Sequence, residues 1–417
     1  MPELIASRAA FLAALDSLQA GVGPIAIDAE RASGYRYSQR AYLIQIYRRD
    51  GGLHLIDPIA VADADLWREL NTRFADQEWI IHASTQDLPC LRELGLNPQL
   101  LFDTELGGRI AGAPRVGLGP LCESLLGLAL AKEHSAVDWS LRPLKAEWLT
   151  YAALDVDVLV DLRDEVEKLL ADSGKLEWAK EDFAAILNNP PPPARKDPWR
   201  RTSGMHKMRD RTSLAIIRAL WHARDDFAKQ VDISPGRIFN DEILLEIATR
   251  RPKTIDEFTK LVKRRTRVEN LPTTEWFALL NQTLQLPQDQ LPEVRTPATG
   301  LPPLKVWKER NVMAHARITH ARQALVLRAQ ELKMPTENLL SPETLRQLMW
   351  KNPPLATLSS ASGFHAYIAT TLAEHGARNW QIEQVWEVLV APLCATEPLV
   401  IEAEENSSEA EVSSSDS

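Results

Sequence analysis

The first part of the chain alternates short apolar runs with longer amphipathic stretches. Strands are predicted where β-branched and aromatic residues cluster, at 25–30, 42–47, 53–56 and 79–81. Helices are predicted where apolar residues recur at helical spacing, at 61–75, at 84–94 with Ser84 at the start, and at 145–170. Several adjacent strands followed by helices indicate an α/β domain.

The rest of the chain shows a helical pattern only, and it contains two similar segments. At an offset of 101 residues, positions 238–244 align with 339–345. In each copy Asn240 or Ser341 is placed to cap the N-terminus of a short amphipathic helix, and Pro252 or Pro353 follows its end. Any helical bundle can produce apolar matches, but agreement of cap, spacing and proline in one register favours a duplication.

Two proline-rich stretches divide the chain. Four consecutive prolines occupy 190–193, and five prolines with Gly300 lie between 287 and 303. Such stretches are stiff, extended and typical of linkers. The predicted organisation is an α/β domain at 1–189, a linker at 190–203, a helical domain at 204–286, a second linker at 287–303, a second helical domain at 304–395, and an acidic disordered tail at 396–417.

Charge is distributed unevenly along the chain. The formal net charge is −9, but residues 402–417 contain six acids and no base, so the remainder carries only −3. Residues 195–224 hold nine Arg or Lys against two acids, and residues 250–267 hold eight against two. A basic middle of this kind is typical of a solvated surface or of a surface that binds a polyanion.

Several classes of protein are disfavoured by the sequence. We find neither an apolar run near the ~20 residues of a membrane helix nor a secretory signal. Cys90, Cys122 and Cys394 lie far apart, which indicates a reducing compartment, and we predict a cytoplasmic location. The sequence also lacks a Walker loop, a G-x-G-x-x-G and a G-x-S-x-G, so we predict no nucleotide cofactor and no serine nucleophile.

Two acids occupy alternate positions in the strand predicted at 25–30. Alternation places Asp28 and Glu30 on one face, ~7 Å apart along the backbone. A structural role would require an Arg or Lys beside each acid, because two buried anions repel each other. A functional role would require divalent cations, and Mg²⁺ prefers carboxylate oxygens.

Two further segments carry candidate chemistry. Asp87 follows the strand predicted at 79–81, although Ser84 with Asp87 three residues later is also an ordinary helix start. Tyr151 and Asp155 lie one helical turn apart, which is also the spacing of an ordinary surface pair. Each feature alone favours the structural role. Together, four acids and a tyrosine on these elements are what a two-metal phosphodiesterase requires.

The three motifs, in this order, resemble the DEDD superfamily of 3′→5′ exonucleases, in the subclass with a tyrosine in the third motif. The resemblance to the bacterial ribonuclease D family is closer still, and it is carried by Phe102-Asp103-Thr104, Asp138-Trp139, Arg142-Pro143-Leu144 and Tyr151-Ala152-Ala153-Leu154-Asp155-Val156. The helical repeats resemble HRDC domains. The sequence departs from the family pattern at Ala29, where threonine is usual, and at Arg31, where an apolar or aromatic residue is usual.

The resemblance implies a fold, a reaction and a set of site residues. The fold would be α/β, a ribonuclease H-like mixed-sheet exonuclease domain followed by two all-α HRDC-like domains. The enzyme would use two divalent cations (Mg²⁺ or Mn²⁺) to release 5′-mononucleotides from the 3′ end of RNA, with tRNA precursors and other small structured RNAs as substrates. We also predict that the protein is a monomer. Asp28, Glu30, Asp87 and Asp155 would bind the metals, and Tyr151 would position the attacking water.

RNA contacts are predicted from aromatic and basic side chains. An aromatic ring can stack on a base, and Arg or Lys can contact phosphate. The candidates are Trp139, Arg142, Lys207, Arg209, Arg211, Lys263, Arg264, Arg265 and Arg267. Two alternatives remain open at this point, a 3′→5′ DNA exonuclease and a non-catalytic nucleic-acid-binding scaffold.

Overall fold

The structure is a computed structural model that describes residues 3–130, 137–189, 195–264, 266, 268–295, 300–354 and 360–399. The chain forms two compact units, Met1–Pro297 and Ala298–Ser417. Some predictions lie outside the described residues. These are the proline run at 190–193, Arg265, Arg267 and the tail from residue 400 onward.

The first unit contains one six-stranded sheet. Its strands are β1 (Leu4–Ile5), β2 (Val22–Arg31), β3 (Ala41–Arg49), β4 (Gly52–Ile56), β5 (Glu78–Ile81) and β6 (Leu100–Asp103). The strand order is β1-β4-β3-β2-β5-β6. Pairing is antiparallel for β2 with β3 and for β3 with β4, and parallel for β1 with β4, β2 with β5 and β5 with β6. The predicted mixed sheet is therefore confirmed.

Eight helices belong to the same α/β region among the residues that are described. They are α1 (Arg8–Ala20), α2 (Ala64–Arg73), α3 (Leu88–Glu93), α4 (Thr104–Ala111), α5 (Leu118–Leu126), α6 (Ala146–Asp157), α7 (Leu159–Asp172) and α8 (Leu176–Asn188). The single helix predicted at 145–170 is thus two helices. The helix predicted from residue 84 begins at Leu88, after a 3₁₀ turn at Ser84–Gln86.

Several strands of the sheet end at the same edge. Because β2, β5 and β6 run parallel, their carboxyl ends lie at the same edge of the sheet. The acids of β2, the turn after β5 and the last residue of β6 are therefore neighbours. Helix α6 packs across β2, β3 and β4. Its Ala152 is fully buried, and this small side chain allows a close approach to the strands.

The helical part of the first unit has its own apolar core. Its helices are α9 (Arg211–Val231), α10 (Pro235–Ile238), α11 (Asp241–Arg250), α12 (Ile255–Val262) and α13 (Thr273–Leu284). Trp199, Ile216, Phe239, Phe258 and Trp276 are buried in this core. The predicted cap at Asn240 is confirmed, because its side-chain oxygen accepts the N–H of Ile243 at 3.2 Å.

The second unit is helical throughout its described residues. Its helices are α14 (Trp307–Arg310), α15 (Val312–Glu331), α16 (Thr336–Leu339), α17 (Pro342–Trp350), α18 (Ala361–Glu374) and α19 (Asn379–Leu393). The predicted cap at Ser341 is confirmed by a 3.1 Å hydrogen bond from the N–H of Thr344. Residues 396–399, which the sequence assigns to the tail, contact α15, since the N–H of Leu399 donates to Thr319 at 3.0 Å.

None of the helices in the described part of the chain combines the length and the apolar character that a membrane span requires.

Candidate active site

Three carboxylates from two elements meet at the edge of the sheet. Asp28 and Glu30 lie on β2 and Asp155 lies on α6, and one oxygen of each lies within 4.8 Å of the others. Strand alternation gives Asp28 and Glu30 the same face, as their spacing predicts. Helix α6 supplies the third acid because it packs against β2.

An open cleft of about 460 Å³ contains these acids and the other two motif residues. Asp87 lines it from the turn after β5, and Tyr151 lines it from α6, one turn before Asp155. Arg31, the departure from the family pattern, lies on the same wall with its guanidinium 3.5 Å from the Asp87 carboxylate. The structure therefore brings all five predicted residues together in one cleft.

Burial raises the pKa values of all four acids, and repulsion from neighbouring carboxylates adds to this effect at Glu30, Asp87 and Asp155. Burial is the largest cause for each, and it raises the pKa of Asp28 above its ordinary value. The pKa of Glu30 is raised further by the charges of Asp28, Asp155 and Asp87. The pKa of Asp87 rises to about 8 and that of Asp155 to about 7, with the charge of Asp28 as the second cause in both. A divalent cation would offset this repulsion, so the set of donors fits a hard metal ion.

Tyr151 is oriented by its neighbour one turn along α6. Its hydroxyl donates a hydrogen bond to the Asp155 carboxylate. Burial, and next the charge of Asp155, raise the pKa of Tyr151 above its ordinary value. The phenol therefore stays protonated at neutral pH, which suits a hydrogen-bond donor and not a general base.

The turn that carries Asp87 differs from the predicted helix start. Ala83 adopts a left-handed conformation with φ of 54°, and a 3₁₀ turn leads from Ser84 to Asp87. The Ser84 hydroxyl donates to Asp103 at 2.7 Å and does not cap α3. The capping prediction for Ser84 is therefore wrong. The Asp87 carboxylate is left to face the cleft, where it lines the wall.

Asp103 holds this turn from the end of β6. Its buried carboxylate accepts the N–H of Ala83 at 3.2 Å, the N–H of Ser84 at 2.8 Å and the N–H of Leu106 at 3.0 Å. The bond to Leu106 caps the N-terminus of α4. The bonds to Ala83 and Ser84 support a left-handed backbone that costs a non-glycine residue about 1 kcal/mol. Sequence reasoning missed this role because the partners come from another strand.

Two predicted RNA contacts do not fit the structure. Trp139 is 0% exposed and packs edge-on against Trp148, with 5.7 Å between ring centroids, so neither face is open to a base. Arg142 donates to both oxygens of Asp57 at 2.7 and 2.8 Å, and to the carbonyls of Trp139, Leu141 and Tyr42 at 2.8 Å. These bonds occupy all five donors of the guanidinium, so Arg142 joins segments of the domain to one another and has no donor left for a phosphate.

The predicted basic contacts fall into two groups. Lys207, Arg209 and Lys263 are exposed. Arg211 forms an ion pair with Glu293 at 3.0 Å, and Arg264 forms one with Glu246. The first three side chains are thus the better candidates for phosphate contacts. Arg211 and Arg264 would have to give up a glutamate carboxylate before they could bind a phosphate.

We predict that Asp87→Asn stabilises the metal-free protein at pH 8. The folded state holds the Asp87 proton up to about pH 8, while the unfolded chain loses it near 3.8. The unfolded state binds fewer protons between these values, so the stability contributed by Asp87 falls as pH rises through this window. The variant should melt at least about 2 °C higher at pH 8 in chelator, and the difference should shrink toward pH 4. Asp172→Asn, at an exposed acid of α7, is the control.

A second prediction concerns Asp103→Asn. The amide cannot accept both turn N–H groups, so Asp87 should lose its position and Mn²⁺ affinity should fall by about ten-fold in calorimetric titration. Ala83→Gly removes the cost of the left-handed turn, so the double variant should regain part of the affinity. Unchanged Mn²⁺ affinity in folded Asp103→Asn would show that the turn does not depend on Asp103.

Comparison with known proteins identifies both parts of the first unit. Residues 3–171 match the family profile described as 3′-5′ exonuclease, and residues 213–269 match the HRDC domain. Residues 300–393 match a different profile, the 3′ to 5′ exonuclease C-terminal domain. The second helical repeat, predicted to be HRDC-like, therefore has a family profile of its own.

Curated relatives and solved structures agree with these matches. The chain is 35% identical over 191 residues to ribonuclease D of Gluconacetobacter diazotrophicus, which covers 44% of this chain and 47% of the relative. It is 35% identical to a crystal structure of a protein from Bifidobacterium adolescentis, with a TM-score of 0.84 over 94% of this chain and 97% of that one. Escherichia coli RNase D shares the fold at 23% identity, with a TM-score of 0.64 over 90% of this chain and 98% of that one.

The matched part spans 47%, 44% and 58% of the first three curated relatives. All three are ribonuclease D proteins. With an exonuclease domain followed by an HRDC domain, the chain is similar to ribonuclease D proteins.

Proposed function

We propose that the protein is a metal-dependent 3′→5′ exoribonuclease that releases 5′-mononucleotides and trims the 3′ ends of tRNA precursors. The observation that carries this proposal is the meeting of Asp28, Glu30 and Asp155 within 4.8 Å in an open cleft. Similarity to ribonuclease D proteins supports RNA as the polymer.

The acids of the cleft have the composition of a two-cation site. Asp28, Glu30, Asp87 and Asp155 would hold two divalent cations, Mg²⁺ or Mn²⁺. When bound, such a pair stabilises both the attacking and the leaving oxygen of an in-line displacement. Tyr151, whose hydroxyl proton is donated to Asp155, would accept a hydrogen bond from the attacking water through its phenolic oxygen and so orient it. Arg31 lies on the same wall, where it is paired with Asp87 and would reach a phosphate only by exchanging or sharing that partner.

The helical regions would extend the RNA-binding surface beyond the cleft. Lys207, Arg209 and Lys263 are exposed in the helical part of the first unit, and each phosphate that they neutralise steepens the salt dependence of binding.

Three further predictions from the sequence belong to this proposal. The domain boundaries are those given by the proline-rich stretches. The monomeric state and the cytoplasmic location stay predictions.

The first test compares RNA and DNA of one sequence. Each strand carries a 5′ label and a 3′ overhang, and the reaction contains Mg²⁺, Mn²⁺ or a chelator. We expect a metal-dependent ladder that shortens from the 3′ end of RNA and is weak or absent on DNA. Asp28→Asn should lower the rate by at least about 10³-fold, because removal of a ligand disrupts the electrostatic stabilisation. Asp172→Asn should leave it unchanged.

Other outcomes of this test favour the alternatives. A preference for DNA would favour a 3′→5′ DNA exonuclease. Tight binding of RNA without hydrolysis would favour the non-catalytic scaffold. Full activity of Asp28→Asn would contradict the role of the carboxylate cluster.

Tyr151→Phe tests the role of the phenol separately. Phenylalanine keeps the ring but has no oxygen to hold the water or to bond Asp155, so kcat should fall by about ten- to a hundred-fold through loss of orientation. Mn²⁺ affinity should stay within about two-fold of wild type, since Tyr151 is not among the carboxylates that bind the metal. Loss of Mn²⁺ binding together with activity would show that Tyr151 supports the metal site instead.

A further inference from the structure

The loop between β2 and β3, residues 32–40, begins directly after two residues of the cleft. Glu30 is one of the three clustered acids, and Arg31 contacts Asp87. The pairing of β2 with β3 shifts register between Glu30 and Arg31, so the strand ladder is irregular at this point. Contacts outside the ladder must therefore fix the backbone here.

One set of outside contacts comes from α10 of the helical part. The Arg237 guanidinium donates to the carbonyl of Gly34 at 2.7 Å and lies over the ring of Tyr35, 3.9 Å from its centroid. The N–H of Ser234 donates to the carbonyl of Tyr35 at 3.0 Å. The carbonyl of Arg237 is itself held by the hydroxyl of Thr266 at 3.0 Å.

A second set comes from α9 and the residue that ends it. The Asp232 carboxylate accepts the N–H of Ser38 at 2.8 Å and the hydroxyl of Tyr42 at 3.4 Å. The Tyr37 hydroxyl donates to Asp225 at 3.0 Å, and the ring of Tyr37 packs against the apolar core of the helical part. Both ends of the loop are thus attached to the helical part.

The exonuclease domain holds the same loop from the other side. Arg36 donates to the hydroxyl of Ser140 at 2.7 Å, and Ala32 is fully buried. The loop therefore lies between its own domain and the helical part of the first unit. Its position, and with it the end of β2, depends on both.

We propose that the first helical domain has a second role besides RNA binding, which is to position the end of β2 through the loop at 32–40. Arg237 and Asp232 are then positioning residues for hydrolysis, although neither lines the cleft. This inference rests on the proposed exoribonuclease activity. It differs from a role in RNA binding alone in one respect. Loss of the contacts should slow the hydrolysis even of a substrate that is too short to reach the RNA-binding surface of the helical domain.

The test uses the full chain and a 5′-labelled RNA dinucleotide with Mn²⁺. Arg237→Met removes the donor and the cation but keeps most of the side-chain stem. We expect kcat on the dinucleotide to fall by about three- to ten-fold, with KM within about two-fold, because the acids lose alignment while the cleft keeps its shape. Arg237→Lys, which retains a donor and a charge, should restore part of kcat.

One control and one further variant separate positioning from general loss of stability. Lys229→Met removes an exposed cation of α9 and should leave kcat unchanged. Asp232→Asn should act in the direction of Arg237→Met, since asparagine tolerates the left-handed backbone (φ of 49°) at this position. Hydrogen exchange should rise at 32–40 in both Arg237→Met and Asp232→Asn, while α9 stays protected.

Each outcome bears on the proposal. An unchanged kcat in Arg237→Met, with faster exchange at 32–40, would overturn the coupling between loop and cleft. Unchanged exchange at 32–40 would overturn the claim that these contacts hold the loop. Absence of dinucleotide and RNA hydrolysis by the wild-type protein would instead contradict the proposed function, and the inference with it.

Discussion

Repulsion among half-buried carboxylates is the constraint on which the rest of this structure depends. Carboxylate oxygens of Asp28, Glu30 and Asp155 lie within 4.8 Å of one another. Burial raises the pKa of each acid, and neighbouring carboxylates raise the pKa values of Glu30 and Asp155 further. Left to themselves, such groups would move apart or into water. They stay together because β2 is paired on both sides, with β3 and with β5, and because α6 packs across the strands. Strand pairing and helix packing thus hold the three carboxylates together against their mutual repulsion.

Local patterns predicted those parts of the site that have local causes. Alternation along β2 placed Asp28 and Glu30 on one face, and the helical spacing of Tyr151 and Asp155 placed them one turn apart on α6. The caps at Asn240 and Ser341 were predicted for the same reason, because a cap bonds an N–H only three residues away. In each case both partners lie within one turn or one strand.

Local patterns failed where a distant partner competes. Ser84 has the sequence of a helix cap, but Asp103, 19 residues later, takes its hydroxyl. Arg142 has the chemistry of a phosphate contact, but Asp57, 85 residues earlier, takes its guanidinium. A buried anion binds such donors more strongly than an exposed backbone group does. Which of two chemically suitable partners wins depends on the packing of the strands, and residue type alone cannot show it.

The acids that repel one another must be positioned from outside the cleft, and the structure shows two such supports on different strands. Asp103 fixes the turn that carries Asp87 through the N–H groups of Ala83 and Ser84. The loop at 32–40, bonded to Arg237 and Asp232, continues the strand that carries Glu30. Neither support touches the acids of the cleft, yet each acts on the backbone beside one of them. A chain with all five motif residues but without these contacts would have the composition of the site and not its geometry.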